Sequence, residues 1–316
     1  MAVKKKTVLV TGAAGSLAKR VISRLHLKWN VVVVDFRRKV ETDAGIPSYC
    51  VETHKRGFED IFRNHKIDAV VHIGRMFAHE SNRMRRYNAN VLGTRKLLEL
   101  CKKYGVGQVL IHSTYYVYGA DPYNPALIDE EVPLKASEIT QDLVDSVELE
   151  NLANIYLWKH PELNITILRP CNILGPGVRN TMSILLSRPV VPVLAGFSPM
   201  MQFVHVDDMA AAIDLALKKN KPGIYNVAPD DWVPYQEAVR QSGCRRIPVP
   251  SIPPAVPRVL GRLLQWNAYF PPYLVNYFKY PVVLDGRLFR ETFGWKPQHT
   301  LQNIFDYYAH HKRSSL

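Results

Sequence analysis

"TVLVTGAAGSLAKRVISRL" runs from Thr7 to Leu25, and its reading decides the fold. Thr7–Thr11 is a short β-branched run of the kind that makes a strand, and a helical pattern starts at Ser16. Between them Gly12 permits a tight turn, Gly15 lets backbone approach a ligand closely, and Ala18, third in the spacing, is small enough for a helix to pack on the strand. The amides of Ala14, Gly15, Ser16 and Leu17 then open a helix, where the charge of a diphosphate is stabilised. A plain strand-turn-helix corner also favours glycine, so the context has to decide. The next apolar run, "VVVVDFRRK" (31–39), puts Asp35 at a strand end about 20 residues further on, as dinucleotide binding requires. A carboxylate there accepts from adenosine ribose hydroxyls and repels a 2'-phosphate, which favours NAD. Arg37 and Arg38 beside it are able to clamp such a phosphate, which keeps NADP open.

The same alternation continues outward. "SYCVE" (48–52), "DAVVHI" (68–73), "QVLIHS" (108–113) and "NITILRP" (164–170) are nearly continuous apolar runs, as strands buried on both faces of a parallel sheet are. "NVLGTRKLLELCKKYG" (90–105) puts Val91, Leu97, Leu98 and Cys101 on one helical face, with Gly105 as its stop. The expectation is an α/β protein, a Rossmann-type doubly wound parallel sheet with a smaller C-terminal substrate lobe. Proline recurs after residue 170, in "SRPVVPVLAG" (187–196) and "RRIPVPSIPPAVP" (245–257), as in loops built over one end of a sheet. This divides the chain into a dinucleotide-binding domain, residues 1–175 with a return segment about 201–228, and a substrate lobe, 176–200 and 229–316.

Composition excludes several classes. With 47% hydrophobic residues in 316 the chain can bury a large core, and it has no run of about 18 apolar residues to cross a membrane. "MAVKKKTVLV" is too short in its apolar part for a signal peptide. Four widely spaced cysteines, Cys50, Cys101, Cys171 and Cys244, read as single buried thiols in a reducing cytoplasm, with no metal site. The net charge of +13 is scattered, without the aromatic-interleaved stripe that stacks bases, so an anionic small molecule is expected as partner and no nucleic acid.

Several stretches in order, "TGAAGSLA", "DAVVHIG", "NANVLGT", "HSTYYVYG", "ILRPCNILGPG", "FVHVDDMAAAI", "IYNVA" and "RETFGWKP", resemble the signatures of the extended short-chain dehydrogenase/reductase family, the NAD-dependent epimerase/dehydratase group. The resemblance implies that Gly12, Gly15 and Asp35 contact the cofactor, that Ile73, Gly74 and Pro170 lie along its path and that Asn90 supports the site. It places Arg75, Asn172 and Arg179 on the substrate side, and it implies pairing of two copies through helices that include 90–104 and 140–158.

That family works with a Ser or Thr and a Tyr-x-x-x-Lys dyad, in which the ammonium lowers the phenol's pKa from about 10 so that it can exchange a proton. Thr114 matches the hydroxyl, but the dyad is missing from "SEITQDLVDSVELENLANIYLWKH" (137–160). Aligned on "ELENL", the dyad positions hold Asp142 and Ser146; a one-residue slip gives Leu143 and Val147. The candidates for an altered proton relay are therefore Thr114, Tyr115, Tyr116 and Asp142, with Tyr118, His112 and His205 read as packing or sheet-end residues. Tyr115 and Tyr116 also stand where sugar-nucleotide 4,6-dehydratases of the family carry Asp-Glu, which speaks against that dehydration. The sequence supports two readings: an NAD(P)-dependent epimerase/dehydratase-like or reductase-like protein acting on a sugar nucleotide or an apolar hydroxy or keto compound, or a non-catalytic NAD(P)-binding regulatory or scaffolding protein. The aromatic stretch 256–284 reads as a lid over the cleft, with a membrane-surface helix as the weaker reading.

Overall fold

A computed structural model describes residues 5–41, 45–76, 82–250 and 272–313. Its centre is a seven-stranded parallel sheet of β1 (Thr7–Thr11), β2 (Asn30–Asp35), β3 (Ser48–Cys50), β4 (Ala69–His72), β5 (Gln108–His112), β6 (Ile165–Pro170) and β11 (Gly223–Val227). The order is β11-β6-β5-β4-β1-β2-β3, so the chain reverses direction across the sheet between β1 and β4. Ligands of doubly wound sheets bind at such a reversal, beyond the carboxyl ends of the strands.

Alternation along each strand sends side chains to two cores. Val8, Val10, Val31, Val33, Val71 and Leu110 pack against α1 (Ser16–Leu25) and α8 (Val206–Lys219). Leu9, Val32, Val34, Val70, Val109 and Ile111 pack on the other face against α2 (Phe58–Asn64), α4 (Gly93–Lys103) and α6 (Val144–Lys159). The helical face read from sequence is real: Val91, Leu97, Leu98 and Cys101 are all buried. Before it, α3 (Arg83–Tyr87) passes through a π turn, Asn88–Leu92, before α4 begins.

The chain leaves the sheet through β7 (Asn172–Leu174) and comes back through β10 (Phe203–His205), two strands paired in parallel. Outside the sheet β8 (Val190–Leu194) pairs with β13 (Arg245–Val249). The C-terminal elements are anchored on α8: Trp295 Nε1 donates to the Asp208 carbonyl, and the Asp208 carboxylate accepts from the amides of Gln298 and His299. Among the described residues no helix is long and apolar enough to cross a membrane. Most of the aromatic stretch 256–284, and with it most of the lid or membrane-surface reading, lies outside the described residues. Cys101, Cys171 and Cys244 are buried as expected, but Cys50 is exposed, because β3 forms the edge of the sheet.

Candidate active site

The first turn is set by a backbone contact. Gly12 has φ +69°, and a Cβ there would lie 2.5 Å from the Cα of Gly74. A hydrogen-bonded chain holds the two glycines together. The Gly74 amide donates to Thr11 Oγ1 at 3.1 Å, Thr11 bonds His72 Nδ1 at 2.8 Å, His72 Nε2 bonds Thr94 Oγ1 at 3.0 Å, and Thr94 donates to the Asn90 carbonyl at 2.6 Å. Because the Thr94 hydroxyl proton goes to a carbonyl, Nε2 must be a protonated ring nitrogen. Burial, followed by the charge of Arg75, drives the His72 pKa down to about 4, so the ring is neutral and Nδ1 accepts from Thr11. At the start of α1 no side chain caps the first amides and no acidic residue occupies the first turn, which leaves a cradle suited to an anion.

Asp35 ends β2 with its carboxylate wholly buried, accepting from the Ala14 amide at 3.0 Å and from the amide and guanidinium of Arg37 at 2.9 and 3.1 Å. The carboxylate thereby ties the second strand end to the phosphate turn, and Arg37 balances its charge. Asp35 and Asn90 line a small pocket beside the main cleft, together with Glu52 and Thr53. Asn90, turned inward in the π turn, grips Met76 through its amide and carbonyl, both at 2.8 Å, and also donates to Asp145.

The main cleft, of about 1130 Å³, opens over the carboxyl ends of the strands. The structure brings into its lining Gly12, Ala14, Gly15, Ser16, Leu17 and Arg37, with Ile73, Gly74, Arg75, Thr114, Tyr115, Tyr116, Pro170, Asn172 and Arg179. Gly177, two residues before Arg179, lies against Ser16. Arg38 and the basic residues Lys19, Arg20 and Arg85, which the sequence did not single out for the site, also line it. Among the described lining residues there is no carboxylate, so the cleft is a cationic trough. Arg85 comes from the run "RMRR", legible in sequence as basic but not as belonging to a pocket.

The relay candidates divide. Thr114 caps the turn Tyr115–Tyr118 by accepting from the Tyr116 amide. Tyr115 donates its hydroxyl to Asn172 Oδ1 at 2.9 Å; burial, then the neighbouring Tyr116, pushes its pKa well up. Burial raises Tyr116 as well. Tyr277 packs edge-on against both rings and donates to the Tyr116 carbonyl at 2.6 Å. Both phenols are therefore neutral hydroxyl donors rather than bases. Tyr118 is packing, as expected: it is fully buried, its hydroxyl donating to Asn226 and accepting from Arg169.

Asp142 lies on the turn Gln141–Leu143 ahead of α6, where it pairs with Arg83 at 3.5 Å, and it is not among the described residues that line the cleft. Ser146, at the other dyad position, is buried and accepts from Arg75 Nη2 at 2.6 Å. Behind it, Glu150 on α6 is buried between Arg169, at 2.5 Å, and the Ser113 hydroxyl, and Asp145 pairs with Arg86 at 3.2 Å. The described residues also gather His205, Asp207 and His299, with ligand atoms within 4.8 Å, at the start of α8. All three have protein partners already: His205 Nδ1 accepts from the Asp207 amide, Asp207 pairs with Arg20, and His299 with Asp208.

The sequence profile of the NAD dependent epimerase/dehydratase family matches residues 8–228. An uncharacterised protein of Mycobacterium tuberculosis is 28% identical over 96% of this chain and 83% of its own length. A UDP-glucuronate 4-epimerase of Thermodesulfobacterium geofontis is 24% identical over 66% of this chain and 71% of its own length. The crystal structure of the UDP-glucose 4-epimerase of Thermus thermophilus in complex with NAD superposes with a TM-score of 0.77 at 22% identity, covering 98% of this chain and all (100%) of that one. The dTDP-glucose 4,6-dehydratase of Bacillus anthracis, also with NAD, gives a TM-score of 0.77 at 18% identity over 98% and 97%. At these identities the superpositions show a shared fold.

Proposed function

The chain belongs to the NAD dependent epimerase/dehydratase family, and from that premise we propose that its cleft binds NAD and a sugar nucleotide and handles protons without the usual phenol and ammonium. The observation that carries this is the cationic trough, whose lining holds both an uncapped helix start and Thr114 and Asn172. The fit to a dinucleotide rests on the Gly12 turn, which a Cβ would fill, and on the buried Asp35 at the next strand end. The amides of Ser16 and Leu17 at the uncapped helix start would meet the diphosphate, with Asp35, which already takes the Ala14 amide, at the adenosine ribose. Arg37, already paired with Asp35, supports NAD over NADP. When bound, the nicotinamide supplies a hydride acceptor and donor.

This chain's own residues then have to bind, orient and move a proton. Thr114 and the neutral phenol of Tyr116 can donate hydrogen bonds to a substrate oxygen, while Tyr115, whose hydroxyl proton goes to Asn172, can only accept. Asn172 fixes the Tyr115 hydroxyl, and exposed Arg179 at the rim suits the diphosphate of a sugar nucleotide better than an apolar hydroxy compound. We assign residues 1–175 and about 201–228 to the dinucleotide and the remainder to the substrate. Pairing of two copies through α6 is supported by its exposed apolar residues Ile155 and Trp158.

A second reading, a cofactor-binding protein without turnover, is favoured by one observation: both cleft phenols are raised, so neither is poised as a base. Purified protein incubated with NAD and UDP- or dTDP-hexoses separates the two. Conversion of a sugar nucleotide that falls about 100-fold or more in Thr114→Ala supports the relay. Dinucleotide binding with no conversion of any sugar nucleotide leaves the second reading standing.

A further inference from the structure

We propose that Arg75 and His112 receive the nicotinamide-bearing half of the dinucleotide, Arg75 supplying from the loop after β4 the positive charge that the family resemblance would put on α6. The inference rests on the dinucleotide reading of the cleft and goes beyond it by naming what holds the second half.

Arg75 follows directly on Gly74, whose backbone is pinned against Gly12, so its side chain starts from the floor of the cleft. One end of the guanidinium reaches Ser146 Oγ at 2.6 Å, across 71 residues of sequence. Ser146 is the position that the "ELENL" alignment gives to the family's lysine. A cation thus reaches that position from a different segment of chain. Its Nε is buried and has no hydrogen-bond partner among the described residues. The buried carboxylates whose charge it feels are ion-paired with other arginines, Asp145 with Arg86 and Glu150 with Arg169. A buried donor left unpaired is destabilising, so its retention at a cleft wall points to a ligand that completes it.

His112 is the second such group. It lines the cleft at the end of β5, the strand next to β4, and its Nε2 is also buried without a partner among the described residues. Burial, followed by the charge of Arg75, lowers its pKa to about 3, so the ring is neutral. A guanidinium N–H and a neutral imidazole nitrogen side by side suit a hydroxyl-bearing ring that both accepts and donates, as a ribose does.

Sheet order says which ring. Asp35, the Gly12 turn, Arg75 and His112 sit at or just past the ends of β2, β1, β4 and β5, which are consecutive in the sheet. Three strand spacings span about 14 Å, roughly the distance between the two riboses of an extended dinucleotide. A ligand with its adenosine at Asp35 and its diphosphate at Gly12–Leu17 therefore reaches Arg75 and His112 with its other ribose. The sugar substrate is left the part of the cleft lined by Thr114 and Asn172.

Calorimetric titration with NAD and with ADP, which lacks the nicotinamide half, tests the assignment on the full chain. Arg75→Ala and His112→Phe should each weaken NAD by about 10- to 100-fold while ADP stays within about twofold. Arg75→Lys, which keeps the charge, should recover most of the loss, and its thermal unfolding shows that the fold is intact. Equal weakening of ADP and NAD would make the two residues structural and overturn the proposal. Unchanged NAD affinity in the variants, with ADP bound normally, would overturn it alone. Wild-type protein that binds neither ligand would sink the dinucleotide reading and this proposal with it.

Discussion

Substituting Gly12 with alanine should damage the fold and the ligand site together, through a cause that can be read off the backbone. At φ +69° an added Cβ meets a left-handed conformation that costs roughly 1–2 kcal/mol in an L-residue. The same Cβ would sit 2.5 Å from Gly74 Cα and 2.6 Å from Gly74 N. Those atoms are backbone, so the ends of β1 and β4 have to move apart, which for overpacking costs about 1–3 kcal/mol more. The sum is roughly 2–5 kcal/mol. Because Thr11, His72 and Thr94 transmit the Gly74 position to Asn90, the disturbance should extend to the whole first turn. Gly15→Ala is the control: its φ is −73° and its nearest contact is the Gly12 carbonyl at 3.2 Å, so it should destabilise by less than about 1 kcal/mol. Urea unfolding of the ligand-free proteins, followed by tryptophan fluorescence, reads the stability, and calorimetry with NAD reads the site. A Gly12→Ala protein that unfolds with the wild type and binds NAD equally well would refute the reasoning.

Two further outcomes follow from the same structure. His72 is protonated far less readily in the fold, at about 4 against 6.5, so its contribution is complete above about pH 6.5 and is lost as pH falls toward 4. The loss has a ceiling of about 3 kcal/mol; urea midpoints at pH 7 and pH 4.5 should separate less in His72→Gln than in wild type, and an unchanged separation would count against a buried neutral imidazole. Replacing exposed Ile155 and Trp158 with glutamate should convert a two-copy species to single chains by sedimentation, with dinucleotide affinity retained; a wild-type protein that sediments as one chain would remove α6 as a pairing face.

Six strands of the sheet were readable because parallel strands are apolar on both faces, and "VVVV" or "AVVH" admits little else. The seventh, Gly223–Val227, is short and begins with a glycine, and its "IYNVA" was recognisable only as part of a family pattern. The phosphate turn was legible because glycine spacing, strand and helix are local in sequence. The chemistry of the middle of the cleft was not. Asp142 and Ser146 are four apart in sequence, yet only Ser146 faces inward, since a separate turn precedes α6 and leaves Asp142 with Arg83. The family resemblance put Arg75 on the substrate side, but its meeting with Ser146 depends on a crossing that no spacing rule reports. His112 read as a sheet-end histidine, and nothing in "QVLIHS" tells that its Nε2 finds no protein partner among the described residues.

The pairing of β7 with β10 bears on how a molecule enters. The chain leaves the sheet along one of these strands and returns along the other, and the two are hydrogen-bonded to each other. Any jaw-like opening of the outer segment would have to bend both strands at the same point, which their shared ladder resists. The outer segment between them is thus held at its base by two bonded strands rather than by a single linker, and the turn around Gly177 and Arg179 forms part of the trough wall.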